Sequence, residues 1–185
     1  MEHFYQTIDG WFWFEPAYRL LFDALPATRE SVFVELGTYY GRSVAWLGVE
    51  TLNSGKPVTI HAVDIFPSDN FTKWRDNLRP LEMLSQQNRL FGWKIRSDEA
   101  ANLFADHSVD VVWVDADHSF EGCLADIHAW WPKLRSGGFM GGDDYLMEGV
   151  WRAVEERFTG QYQLIPGWCD DGVGKRPYPS WLVKK

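Results

Sequence analysis

The fold is read from Val32-Phe33-Val34-Glu35-Leu36-Gly37-Thr38-Tyr39-Tyr40-Gly41-Arg42-Ser43. Ser31–Leu36 is a nearly continuous apolar run of strand length. It stops at two glycines four residues apart, and a helical pattern over Ser43–Leu52 follows. Glycines there allow a tight turn and the close approach of a ligand. The free N–H groups of the following helix suit a carboxylate or a phosphate. The spacing is neither GxGxxG nor the phosphate loop that ends in Gly-Lys-Ser/Thr.

Outward from this stretch, short β-rich runs alternate with helical windows. Val58–Val63, Trp93–Arg96, Val109–Val114 and Gly138–Gly142 read as the second to fifth strands, and Gln161–Ile165 and Ser180–Val183 as the sixth and seventh. Helices are predicted over Asp98–Phe104 and about Glu148–Phe158. A third begins at Phe120 and continues through Cys123, Leu124, Ile127, Trp131 and Leu134, with Ser119 as N-cap and Gly137 just past its end. Pro132 should kink or end it. Alternation of this kind predicts an α/β fold with a doubly wound, mostly parallel seven-stranded sheet. Only Pro166–Pro179 separates the last two strands, so the last strand is expected to be antiparallel. Ligands of such sheets bind at the carboxyl ends of the strands.

Those ends carry the chemistry. The second strand ends at Asp64, which can accept hydrogen bonds from ribose hydroxyls or cap a turn. The fourth ends in Asp115-Ala116-Asp117-His118-Ser119, two carboxylates and an imidazole beside an apolar strand. The fifth ends in Gly141-Gly142-Asp143-Asp144-Tyr145, where adjacent like charges call for a cation or solvent. With the fourth and fifth strands as neighbours, Asp115, Asp143 and Asp144 could converge on Mg²⁺, or on Mn²⁺ or Ca²⁺, rather than zinc.

The 185 residues amount to one domain, with residues 1–30 as a helical, aromatic cap. A hydrophobic content of 45% excludes a disordered chain. Eighteen basic against 26 acidic residues give a net charge of −8, which argues against a nucleic-acid partner. Eleven tryptophans can fill a core or line a small-molecule pocket. The two cysteines make neither a disulfide framework nor a CxxC zinc pair; Cys123 reads as core and Cys169 as a loop thiol. MEHFYQTIDGWFWF lacks the pattern of a signal peptide, and no apolar stretch approaches ~18 residues, so a cytoplasmic protein without a membrane span is expected. His3, His61, His107 and His128 read as structural or surface groups, and Lys184 and Lys185 as a solvated tail.

In the order and placement of VELGTYYGRS (34–43), DADHSFEG (115–122) and GGDDY (141–145), the sequence resembles the class I S-adenosylmethionine-dependent methyltransferases. Within them it resembles a small family with VELGxxxGRS and DxDHSxEG…GG…DDY signatures, and the metal-dependent catechol-type and sugar O-methyltransferases. The likeness runs over about Val32–Tyr145, with Gly10-Trp11-Phe12 before it. It implies that Glu35, Gly37, Tyr39, Gly41 and Ser43 hold the methionine part of S-adenosylmethionine. Asp64 would take the ribose hydroxyls, and Ser97 would lie near the adenine. Asp115 would face the cofactor amino group and the metal, with Asp143 and Asp144 as the metal-binding pair. His118 stands where catechol-type enzymes carry a catalytic lysine, and Asp117 where sugar O-methyltransferases carry an aspartate base. Arg96 stands at a position that is often acidic in this fold.

The function so implied is divalent-metal-assisted O-methylation of a small hydroxylated molecule, with His118 or Asp117 as the base. The alternatives are a metal-independent methyltransferase and a non-catalytic cofactor-binding or assembly module. The segments Phe66–Gln87, with Phe71, Trp74, Leu78 and Met83, and Pro166–Pro179, with Trp168, Asp170, Asp171, Lys175 and Arg176, are the expected acceptor walls. An edge strand or the aromatic N-terminus could serve a homodimer.

Overall fold

The computed structural model describes residues 1–170 and 174–185; Asp171 lies outside them. In chain order the elements are α1 (Glu15–Ala24), β1 (Ser31–Leu36), α2 (Arg42–Ser54), β2 (Val58–Asp64), α3 (Asn70–Asn77), α4 (Glu82–Gln86), β3 (Leu90–Lys94) and α5 (Ser97–Ala100). There follow β4 (Val109–Val114), α6 (Phe120–Trp130), β5 (Leu134–Gly142), α7 (Glu148–Phe158), β6 (Gln163–Ile165), β7 (Trp168–Asp170), β8 (Lys175–Pro177) and β9 (Ser180–Lys184). The main sheet has seven strands in the order β3-β2-β1-β4-β5-β9-β6. The five on the β3 side are parallel, and β9 runs antiparallel to both β5 and β6. The reversed last strand is therefore threaded between β5 and β6.

Register aligns the carboxyl ends. Leu36 pairs with Val63 and Val114, and Val114 with Gly142. Gly37, Asp64, Asp115 and Asp143 consequently emerge along one edge of the sheet. Period-two alternation sends Phe33, Val111 and Trp113 to one face and Val34, Val112 and Val114 to the other. The first face packs with Tyr18 and Leu21 of α1 and Trp46 of α2, the second with Ile127 and Trp130 of α6 and Val154 of α7. Trp46, Trp113, Trp130 and Trp181 are fully buried, so these tryptophans close the core.

Several boundaries differ from the sequence reading. The helix from Phe120 ends at Trp130, because Pro132 has no N–H to donate, and Trp131–Lys133 forms a 3₁₀ turn. Leu134 and Gly137, expected at and beyond the helix end, belong to a β5 that begins four residues before Gly138. The third strand is Leu90–Lys94, which leaves Arg96 as the residue before α5. Pro166–Pro179 contains the antiparallel pair β7–β8 rather than a plain connection. Cys169 is buried in β7, not a loop thiol. Lys185 is not a solvated tail, since its Nζ donates to the carbonyls of Trp131 and Leu134.

Candidate active site

Gly37 opens the turn after β1 with φ +80°, and a Cβ there would meet the carbonyl oxygen of Asp115 at 1.9 Å. Gly41, at φ +85°, starts α2. Between them Asp64 shapes the loop: Oδ2 accepts from the backbone N–H of Thr38 and Tyr39 (3.0 and 2.9 Å), and Oδ1 from that of Phe66 (2.6 Å). Tyr39 is held in the left-handed region at φ +47°. Trp74 Nε1 donates to Thr38 Oγ1, so the Phe66–Gln87 segment buttresses the loop. Of its four named residues, Phe71, Trp74 and Leu78 pack into the core, Met83 is exposed, and none lines the cavity described below.

Beneath the loop Glu35 is buried and accepts a hydrogen bond from Ser43 Oγ. Burial pushes its carboxyl up to about 8, against the pull of that hydrogen bond. Tyr18 bears on the same charge, yet neither its hydroxyl nor Glu35 Oε2 makes a hydrogen bond among the described residues.

The ends of β4 and β5 bring Asp115, His118 and Asp144 together, one ligand atom of each lying within 4.8 Å of the others. His118 Nε2 is 3.4 Å from Asp115 Oδ1 and 3.0 Å from Asp144 Oδ2. A nitrogen facing two carboxylates carries its proton, and hydrogen bonds to Asp115 and then Asp144 raise the imidazole to about 10. Burial raises Asp115 to about 6, while His118 opposes the shift. At Asp144 burial raises the carboxyl, but hydrogen bonds from His118 and Tyr178 outweigh it and leave the group below its ordinary value. Asp144 itself sits at φ +56°.

Asp143 does not join this cluster. It is 4% exposed, its Oδ2 accepts from Trp13 Nε1 (2.9 Å), and its Oδ1 accepts from Ser180 Oγ (3.3 Å). Burial first, then Asp115 and Asp144, push it up to about 8. Of the expected Asp115–Asp143–Asp144 set, Asp115 and Asp144 lie together with His118, while Asp143 faces Trp13 and Ser180. Asp117 turns to the start of α6, where Oδ1 accepts from the Ser119 N–H (2.9 Å), and this bond holds its carboxyl low.

A cavity of about 960 Å³ joins these groups. Every predicted site residue lines it except Gly41: Glu35, Gly37, Tyr39, Ser43, Asp64, Ser97, Asp115, Asp117, His118, Asp143 and Asp144. Trp13, Arg42, Asp126 and Tyr178 are among the further lining residues that strand ends do not reveal. Trp13 stands against Tyr178 with ring centroids 5.5 Å apart. Arg42 donates to the carbonyl of Gly10 and pins the N-terminal segment over the loop. Nothing in the sequence beside Trp13 or Tyr178 signals these long-range contacts. From the other expected acceptor wall, Arg176 is the one residue, of those named that the structure describes, that reaches the cavity.

The methyltransferase-domain family profile matches residues 34–145, more than half of the chain. The chain belongs to that family. It is a class I S-adenosylmethionine-dependent methyltransferase, and S-adenosylmethionine is its cofactor. No curated protein matches the sequence. Among solved structures this methyltransferase is similar to a TDP-rhamnose 3′-O-methyltransferase of calicheamicin biosynthesis, CalS11 (18% identity, TM-score 0.67, 91% of this chain and 76% of that one). It is similar to an rRNA methylase from Streptococcus thermophilus (15%, 0.65, 91% and 93%). It is also similar to an S-adenosylmethionine-dependent O-methyltransferase from Thermotoga maritima (13%, 0.62, 92% and 64%). At these identities the likeness is one of fold. Because the fold is shared with an rRNA methylase, it does not support the exclusion of nucleic acid drawn from charge. Among the described residues of this methyltransferase no helix is long and apolar enough to cross a membrane.

The Asp115–His118–Asp144 donor set fits a divalent ion. One imidazole with two carboxylates suits a transition ion such as Mn²⁺ better than Mg²⁺, which the three-aspartate set had favoured.

Proposed function

We propose that this methyltransferase moves the methyl group to a hydroxyl oxygen of a small acceptor seated at the Asp115–His118–Asp144 cluster. That cluster carries the reading, because it sets proton-holding groups beside the glycine loop and next to an aromatic wall of Trp13 and Tyr178. S-adenosylmethionine supplies a methyl already activated on a sulfonium. The chain's task is therefore alignment, which can contribute ~7–11 kcal/mol. In this reading Glu35, Gly37, Tyr39 and Ser43 hold the methionine part, Gly41 only starts the helix behind them, Asp64 takes the ribose hydroxyls, and Ser97 lies by the adenine. As the O–CH₃ bond forms, the acceptor's O–H bond breaks; His118 can take that proton at Nε2 only in its neutral form, since the two carboxylates that hold a proton there raise the imidazole to about 10. Asp117 is the weaker base, since its carboxyl is held low. A divalent ion held by Asp115, His118 Nε2 and Asp144 would displace the Nε2 proton and would lower the pKa of a bound acceptor hydroxyl, which could then lose its proton without the imidazole as base. Proton and ion compete for Nε2 of His118.

The O-methyltransferases of Thermotoga maritima and calicheamicin biosynthesis support the oxygen acceptor. The test is methyl transfer to phenols and sugars with Mn²⁺, Mg²⁺ or EDTA, for the wild type and Asp144→Ala. Expected are ion-dependent turnover, its loss in Asp144→Ala, and S-adenosylhomocysteine binding within about threefold of wild type. Turnover indifferent to EDTA and to Asp144→Ala would overturn the metal-assisted reading. A nucleic-acid acceptor is the second reading, favoured by the match over 93% of the Streptococcus thermophilus rRNA methylase. The net charge of −8 and the cavity carboxylates of Asp9, Asp98 and Asp117 weigh against it.

A further inference from the structure

Asp143 and Asp144 are neighbours in sequence, yet the segment that leads into β9 holds their side chains apart. Ser180 Oγ donates to Asp143 Oδ1 (3.3 Å), with Trp13 Nε1 on Oδ2. From the same segment the phenol of Tyr178 donates to Asp144 Oδ1 (2.6 Å). The other oxygen of that carboxylate, Oδ2, stands 3.0 Å from His118 Nε2. Each oxygen of Asp144 therefore has a donor of its own. The phenol is fixed in turn. Tyr178 is 9% exposed, its backbone N–H donates to the Gly167 carbonyl (2.9 Å), and its ring lies against Trp13. A Cβ at Gly167 would meet the Tyr178 carbonyl at 2.5 Å, so the two backbones are in close contact.

The terminal torsion of an aspartate is broad and nearly two-fold, so the backbone alone does not choose which oxygen faces the cluster. Asp144 also sits at φ +56°, a region that few side chains adopt. The Tyr178 hydrogen bond makes the choice. We propose that Tyr178 is a positioning residue of the Asp115–His118–Asp144 cluster: by occupying Oδ1 of Asp144 it keeps Oδ2 turned to His118 Nε2 and available to a divalent ion. The assignment rests on the divalent-ion reading of that cluster. Without the phenol the carboxylate is free to turn, and the set loses a fixed donor atom. Outer partners of this kind orient ligands without touching the ion. Ser180 is the contrast within the same segment, because the carboxylate it holds, Asp143, lies outside the cluster.

The test is titration of the whole chain with Mn²⁺ alone, read from the electron paramagnetic resonance signal of the free ion. Tyr178→Phe keeps the ring against Trp13 and removes only the donor. It should weaken Mn²⁺ binding by about 10- to 100-fold. Ser180→Ala takes a hydrogen bond from the same segment but from Asp143, and should leave Mn²⁺ affinity within about threefold of wild type. Tyr178→Phe combined with Asp144→Asn should bind no more weakly than Asp144→Asn alone, because the phenol acts through that carboxylate. Wild-type affinity in Tyr178→Phe, an equal loss in Ser180→Ala, or losses that multiply in the double variant overturns the role of Tyr178 and leaves the ion site standing. A wild type that binds no Mn²⁺ overturns the ion reading and this assignment together, while S-adenosylhomocysteine binding still reports the methyltransferase site.

Discussion

At Gly37 the backbone is left-handed, and the space for a Cβ is taken by the Asp115 carbonyl. Gly37→Ala must push β1 away from β4 or strain the turn, at a cost of at least ~2 kcal/mol. Urea unfolding should show that loss, and S-adenosylhomocysteine affinity should fall with it because Thr38 and Tyr39 move. Trp13 tests a contact that sequence could not reveal. Its indole N–H serves Asp143 across 130 positions. Trp13→Phe keeps a ring against Tyr178 but leaves Asp143 Oδ2 short of a donor, so thermal unfolding should report a loss of ~1–3 kcal/mol. A loss near zero would mean that Asp143 finds another donor. The same contact turns Asp143 away from Asp144. In sequence it is half of an Asp-Asp pair, and nothing local says that one side chain turns inward to Trp13 and Ser180 while the other turns out to His118.

At the scale of elements, α6 was read correctly at its start and wrongly at its end. Ser119 is its N-cap, with Oγ accepting from the Gly122 N–H (3.1 Å). Ser119→Ala should cost ~1 kcal/mol, a fall of about 2–4 °C in Tm for a chain of this size. An unchanged Tm would show that the Asp117 bond to the Ser119 N–H caps the helix by itself. The helical period carried on to Leu134 because apolar spacing does not stop where backbone donors run out; Pro132 stopped it. The apolar strands β1, β2 and β4 were legible because burial on both faces leaves an unbroken apolar run. The pair β7–β8 was not, since Trp168–Asp170 and Lys175–Pro177 pair only with each other, and their exposed residues leave no apolar pattern. The site was legible in the same uneven way. Strand ends named its carboxylates and His118, whereas Trp13, Asp126 and Tyr178 arrive from elements that no strand-end rule inspects.

The molecule as a whole concentrates buried acid around one cavity, and this fixes how its stability should follow pH. Burial raises Glu35 from 4.5 to about 8 and Asp126 from 3.8 to about 6. The folded chain then holds protons that the unfolded chain has released. The associated stability is complete below about pH 4 and is lost as pH rises, through about 6 for Asp126 and about 8 for Glu35. The lowered carboxyls run the other way: Asp98, Asp106 and Asp117 add stability above their unfolded values and lose it only in more acid solution. Between about pH 5 and 8.5 the raised groups therefore dominate this balance, and the urea midpoint of the ligand-free protein should fall across that range, on the order of a few kcal/mol in all. Glu35→Gln keeps an acceptor for Ser43 without a charge to bury. It should raise the midpoint at pH 8.5 and flatten the upper half of the profile. A flat wild-type profile would mean that Glu35 is not desolvated in solution, and the groove beneath the glycine loop would then have to be open to water.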